Sequence, residues 1–335
     1  MNKLLPGLIL LSINAFSQRV TEDFKITLPD QKIHGSLYKT IKFIDSRYDT
    51  SNYGIVQLGA FNRKARVVPE IPVSLQLSLV LDALTDSSAA DGELLLQVNQ
   101  FNFAEVTGAM SERGYCYVRA TLYALDGEKY RRLDKIDTVA LIKSMDVTRA
   151  LFRNGSKLVS NFISQNLLKL PADSVNYSYN EVVKMDEIEK SKIKIYQTSS
   201  FTDGIYLSYS SFRNQEPDKP VVAEIKSGSI IPSIKMTDES GKLIKVKSKD
   251  IYAFVYQGQP FISTDYGYYK LDKKENDFYF TGKAKTSAKT GDVIAASLFF
   301  GIIGGLIASG TADATFDMKI DYVNGGFIRL REIKN

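Results

Sequence analysis

Near the end of this 335-residue chain, Val293 to Ala312 is a run of 20 consecutive uncharged residues. No other stretch restricts the fold as strongly. At ~1.5 Å per residue, a helix of that length just crosses a ~30 Å hydrocarbon core. The small residues of the run are ordered, with Ser297, Gly301, Gly305 and Ser309 at every fourth position and Gly304 and Ala308 beside them. Lipid tails give no hydrophobic drive for helix association, so flat faces that allow close backbone contact become the favoured seam. This is a glycine-zipper pattern. The residues expected to meet a membrane, or copies of the same segment, are Ser297, Leu298, Phe299, Phe300, Gly301, Gly304, Gly305, Leu306 and Ser309.

Three readings of the run stay open at this level. A single crossing would leave Asp313 to Asn335 on the far side of the membrane, away from the strands it is expected to join. An apolar hairpin or short helical pair would leave the β structure and return to the same side, dipping into a bilayer or packing on its own copies. In the third reading the run is core, and its glycines mark close backbone approach. The polar stretch before it carries Lys283, Lys285 and Lys289, which suit either an anionic lipid surface or a solvated loop.

A second apolar run lies at the N-terminus. Lys3 precedes a charge-free stretch from Leu4 to Phe16, and Ala15 and Ser17 occupy the −3 and −1 positions before Gln18. This is the pattern of a secretory signal peptide over residues 1–17, too short to span a bilayer. The expected protein is exported to the periplasm or outer membrane, or secreted. The single cysteine, Cys116, lies far downstream, so N-terminal lipid anchoring is not expected. The short signal ending in Ser17 and Gln18 resembles those of Gram-negative envelope proteins.

The remainder reads as α+β: an α+β domain over 18–170, a polar linker over 171–192, and a β-rich domain over 193–335 with the apolar insertion at 291–312. Lys39 to Asp45 and Gly54 to Gly59 read as strands. Pro72 then opens a helix over Val73 to Leu84, whose expected buried face is Leu75, Leu79, Val80, Ala83 and Leu84. Leu94 to Phe103 and Tyr115 to Leu125 are long strands, the second alternating so that Cys116 is buried. A long amphipathic helix over Ser144 to Leu170 follows, with Val147, Leu151, Leu158 and Phe162 inward and Pro171 as its stop. The order β-β-α-β-β-α predicts a two-layer α/β sandwich, two helices on one face of a mostly antiparallel sheet.

These elements, with the Asp126-Gly127 turn between them, resemble the auxiliary envelope components of ABC-type lipid-transport systems and the N-terminal domain of the TolB group. The resemblance covers residues 35–170 and implies a non-catalytic adaptor that binds partners or lipid in the envelope. It assigns no functional residue, and the anchoring cysteine of the auxiliary lipoproteins is missing here.

Short runs rich in Tyr, Phe, Val and Ile fill the second half at a spacing of roughly 8–12 residues, the sign of an antiparallel sheet, sandwich or small barrel. Asn324, Gly325 and Gly326 mark a closing hairpin between Thr315–Val323 and Phe327–Arg331.

Composition narrows the chemistry. One histidine and one cysteine exclude zinc sites built from several such ligands, metalloprotease His pairs and Cys-x-x-Cys redox motifs. No nucleophile elbow or Gly-rich phosphate loop occurs. A net charge of +5 is too diffuse for nucleic acid. His34 is expected at the surface, Lys245, Lys247 and Lys249 as protection on one edge strand, and Tyr266, Tyr268 and Tyr269 as cross-strand packing. The expected role is therefore non-enzymatic, without catalytic, metal or cofactor-binding residues and without a cofactor. It is membrane-associated binding or assembly, with membrane lipid, an envelope protein or a second copy as partner. The alternative is a soluble exported binding module in which the apolar run is core.

Overall fold

The computed structural model describes residues 20–59, 62–107, 112–144, 147–172, 174–224, 233–238, 240–283 and 315–333. The fold is mixed α+β and dominated by strands, and the larger sheet curls into a half-barrel.

Strands β1 (Thr21–Phe24), β2 (Tyr38–Asp45), β3 (Gly54–Leu58) and β4 (Arg63–Pro69) precede helix α1 (Val73–Leu84). Then come β5 (Gly92–Thr107), β6 (Glu112–Asp126) and β7 (Lys129–Ile142), and helix α2 (Val147–Ser164). The order is thus richer than β-β-α-β-β-α, because β1, β4 and β7 add three strands. β4 and β7 escape periodicity analysis because Lys and Arg interrupt their apolar alternation. They are strands because they complete ladders, β7 along the whole of β6 and β4 against both β3 and β1. β5 is the hub: it pairs antiparallel with β6 on one side, and on the other side parallel with β2 along its first half and with β3 further on. Where β3 meets β5, a Cβ on Gly54 would lie 1.9 Å from the Phe103 carbonyl oxygen, and its φ is +106°, so only glycine fits.

The apolar alternation of β5 and β6 aims Leu94, Leu96, Phe101, Phe103, Cys116, Val118 and Leu122 into one core, shared with both helices. α1 turns a different face inward from the one expected. Val73, Gln76, Leu77, Val80, Leu81 and Leu84 are buried, while Leu75 and Leu79 stay exposed. The helix has leucine or valine on every side, so periodicity alone cannot choose the face. Gln76 settles it: its amide accepts from the Ile26 N–H at 2.7 Å and donates to the Ile71 carbonyl at 2.8 Å. α2 ends at Ser164, ahead of the expected stop, and Leu168 and Leu170 are exposed.

Residues 171–192, expected as a linker, cover the opposite face of the sheet. They form β8 (Asn176–Tyr177), which pairs with β7, and helices α3 (Tyr179–Val183) and α4 (Met185–Lys190). Tyr177, Val182 and Met185 pack there on Ile44, Leu95, Tyr123 and Tyr130.

After α5 (Lys194–Gln197), β9 (Gly204–Tyr206) and α6 (Tyr209–Asn214) comes a small sheet of β10 (Val222–Glu224), β11 (Ser233–Thr237) and β12 (Leu243–Lys245). β13 (Ala253–Tyr256), β14 (Gln259–Thr264) and β15 (Gly267–Lys270) form an antiparallel sheet with β9. β16 (Asp272–Lys274), β17 (Asp277–Gly282), β18 (Thr315–Ile320) and β19 (Phe327–Ile333) form another. Strand alternation divides β13 between two cores. Ala253 and Val255 face Phe278, Phe280 and Met318 of the last sheet, whereas Phe254 packs on Ile234 and Val246 beside the small sheet.

Candidate functional site

The nine residues expected to contact membrane or copies of the chain, Ser297 to Ser309, lie outside the described residues, as does the signal stretch 1–17. The flanks of the apolar run are described. β17 and β18 are antiparallel neighbours, with Thr281 opposite Asp317 and Gly282 opposite Phe316, and β19 pairs with β18 in turn. The chain therefore leaves and re-enters at one rung of one sheet. The residues after the run sit in the same sheet as those before it. Among the described residues no helix is long and apolar enough to cross a membrane.

A cluster of ionisable groups lies where α4 and the last sheet meet the face of β6 and β7. Arg119 on β6 binds Asp321, just past β18, through both terminal guanidinium nitrogens, at 3.0 Å and 2.8 Å, and Asp137 on β7 through Nε at 3.1 Å. The Asp321 side chain is only 2% exposed. Burial disfavours the Arg119 cation, but Asp321, Tyr117 and Asp137 together outweigh it and hold the guanidinium charged. A second knot joins three elements: Asp277 on β17 takes Lys190 from α4 and Lys319 from β18, each at 2.7 Å. Between these knots lies a cleft of about 180 Å³, bordered by Arg119, Lys135, Asp137, Asp186, Glu189 and Tyr322. It continues into a space of about 340 Å³ that adds Arg132, Lys192 and Arg213.

At the junction of the two spaces, one phenol serves two acids. Asp186 and Glu189 are three residues apart on α4 and project on one side of the helix. The Tyr322 hydroxyl is 2.9 Å from Asp186 Oδ1 and 2.9 Å from Glu189 Oε2. Asn99 Nδ2 donates to the same Asp186 oxygen at 3.1 Å. A phenol has one proton, so with both acids ionised one of these short contacts lacks a hydrogen. Burial raises the Asp186 carboxyl above its usual range, against the opposing pull of Tyr322 and Lys190. Burial, then the charge of Asp186, raises the Tyr322 phenol well above its usual value. The arrangement can hold a proton among three oxygens and clamp α4 to the last sheet. Among the described residues no group of three or more His, Cys, Asp or Glu is placed to hold a metal ion.

Other residues singled out in the sequence are dispersed. The His34 ring is exposed and bonds Asp86, whose carboxyl is lowered to about 2, first by the Ser88 hydroxyl and then by the Ser88 N–H. Cys116 is fully buried, and desolvation pushes its thiol up. Lys245 ends the edge strand β12, whereas Lys247 and Lys249 lie beyond it, so the three lysines do not share one strand. Tyr268 stands edge-on to Phe254 at 5.2 Å, and Tyr269 stacks on Phe280 at 5.9 Å. None of Arg119, Asp321 and Tyr322 carries a local sequence signal, since their partners are distant in the chain. The Asp186 and Glu189 pair was visible only as two acids in a polar stretch.

No family model matches the chain, and no curated protein matches it. Among solved structures, the chain is similar to the crystal structure of a Xanthomonas campestris protein described by the family model DUF330. The identity is 10% and the TM-score 0.30, over 50% of this chain and 99% of that one.

Proposed function

We propose that this chain is an exported, non-enzymatic cell-envelope protein that associates with the membrane, or with copies of itself, through residues 293–312. In this reading the first part of the chain is a two-layer sandwich and the apolar run is a glycine zipper. The observation that carries the proposal is the rung at which Gly282 faces Phe316. An insertion that starts and finishes at one point has about ten residues outward and ten back. At ~1.5 Å per residue that reaches ~15 Å, half of a ~30 Å hydrocarbon core, so the run enters one leaflet or zips with its copies. The non-enzymatic reading is supported by the seam, where Arg119, Asp137, Asp321, Asp277, Lys190 and Lys319 are engaged with one another.

The seam cleft favours a second reading, a soluble exported binding module in which residues 293–312 are core. One experiment separates the two: residues 284–314 are replaced by Asn-Gly, a two-residue hairpin turn that suits the antiparallel register of β17 and β18. The membrane reading expects a chain that melts cooperatively near the parent temperature but no longer floats with liposomes or self-associates. A replaced chain that fails to fold establishes the core reading. One that folds and still floats or self-associates as the parent does rejects the proposal.

A further inference from the structure

The outward face of α2 takes no part in the seam. Arg149, Arg153 and Lys157 follow at four-residue steps on this face, all three exposed, and α2 contains no acidic residue. Like charges at this spacing repel along a helix. The irregular segment 25–31 runs opposite, tied to the helix by the Thr27 N–H, which donates to Ser156 Oγ at 2.7 Å. The two walls enclose a groove of about 730 Å³ with the buried Ser156 and Ser160 among its lining. Lys25 adds a fourth cation, paired with Glu70 at 3.3 Å, and among the lining residues Asp30 alone is acidic.

Charge alone would suit any anion, but the groove is also apolar in part. Leu28 is 46% exposed at its wall, and the Phe152 ring is half-buried beside it. A free inorganic anion gains nothing from Leu28 and Phe152, whereas the first carbons of a hydrocarbon chain would cover them. The guanidinium fork of Arg153 and the ammonium of Lys157 match the oxygens of a phosphate. Eight residues of helix separate Arg149 from Lys157, a span of ~12 Å, which fits one headgroup rather than a polymer.

We propose that this groove binds a single anionic phospholipid, its phosphate between Arg153 and Lys157 and the start of its chain against Leu28 and Phe152. The inference uses no residue of the apolar run, so it and the membrane reading stand or fall separately.

The test is an amide NMR titration of the full chain with dihexanoyl-phosphatidylglycerol held below its micelle concentration. Dihexanoyl-phosphatidylcholine and inorganic phosphate are the comparison ligands. Expected are saturable shifts in residues 25–31 and 149–161, affinity that falls as salt rises, and at least tenfold weaker binding of both comparison ligands. Arg153→Glu with Lys157→Glu should weaken phosphatidylglycerol at least tenfold, and Leu28→Ser should weaken it severalfold. If the charge-reversed chain does not fold, Arg153→Gln with Lys157→Gln takes its place with the same expected direction. Equal affinity for phosphatidylcholine or for phosphate alone, shifts confined elsewhere, or unchanged binding by these variants overturns the proposal.

Discussion

The Tyr322 hydroxyl and Asp186 Oδ1 lie 2.9 Å apart, and the same hydroxyl is 2.9 Å from Glu189 Oε2. Three oxygens thus compete for few protons at the point where α4 meets the last sheet.

Asp186 therefore controls a pH dependence. Its folded-state pKa is raised above the unfolded value of ~3.9, so the folded chain binds this proton more tightly. The stability it contributes is complete below that unfolded value and is lost as pH rises through the raised one. Asp186→Asn mimics the protonated acid. It should flatten the decline of melting temperature between pH 4 and 7 and leave the variant at least as stable as the parent at pH 7. Parallel melting curves for parent and variant would contradict the shared-proton arrangement.

Asp86 acts with the opposite sign. Its carboxyl is lowered to about 2, so its contribution is present above the ordinary carboxylate range and lost as pH falls through about 2. The group is at the surface and its effect is small. Asp86→Asn should lower the neutral melting temperature slightly and remove a minor part of the acid-side loss below pH 4, measured by melting from pH 2 to 7.

The Arg119–Asp321 pair should show a buried charge's asymmetry. Asp321→Ala leaves the guanidinium with Asp137 as its remaining carboxylate and is expected to cost about 3 kcal/mol in urea unfolding. Replacing both partners, Arg119→Met with Asp321→Leu, should recover most of that loss. A double variant no better than Asp321→Ala would show that Asp137 and the backbone contacts, not the pair itself, set the cost.

Gly155 marks the closest approach of α2 to the sheet. A Cβ there would sit 2.5 Å from Phe103 Cε1 and 3.1 Å from Cys116 Sγ. Alanine in a helix interior ordinarily gains about 1 kcal/mol over glycine, yet overpacking a tight core costs about 1–3 kcal/mol. Phe103 cannot swing away readily, being wedged among Phe24, Phe101 and Phe152 at centroid distances of 4.8–5.3 Å. Gly155→Ala should thus be destabilising, and nearly neutral in a Phe103→Leu background, as read from denaturant midpoints.

Cys116 should resist thiol reagents in the folded chain, since it is inaccessible and its thiol is raised by burial. Labelling by a maleimide should keep pace with unfolding. Fast labelling in native buffer would place the thiol nearer the surface than the core described above.

Periodicity disclosed the elements whose burial is one-sided. β6 alternates, α2 has a true apolar stripe, and Pro72 marks the start of α1. It failed where one element is apolar all round, so the inward face of α1 depended on the hydrogen bonds of Gln76. It failed again where a strand owes its conformation to a neighbour: β7 carries KYRRLDKID in its first nine residues and is a strand because β6 offers it a ladder. The seam was unreadable for a further reason. Arg119 meets Asp321 across 202 residues of chain, and no local pattern encodes such a meeting.

The rung at Gly282 and Phe316 also bears on how this sheet tolerates change. Loop closure costs only ~0.6 kcal/mol for each doubling of length. Lengthening a two-residue turn to one of about 32 residues, as over 283–314, is four doublings and adds about 2.5 kcal/mol. The ladder from β16 to β19 is closed on both sides of that opening and need not reorganise to accommodate it. In the membrane reading the position is therefore a grafting point: a foreign hairpin, an affinity tag or a small folded module with adjacent ends could replace the native passenger without asking the host sheet to move.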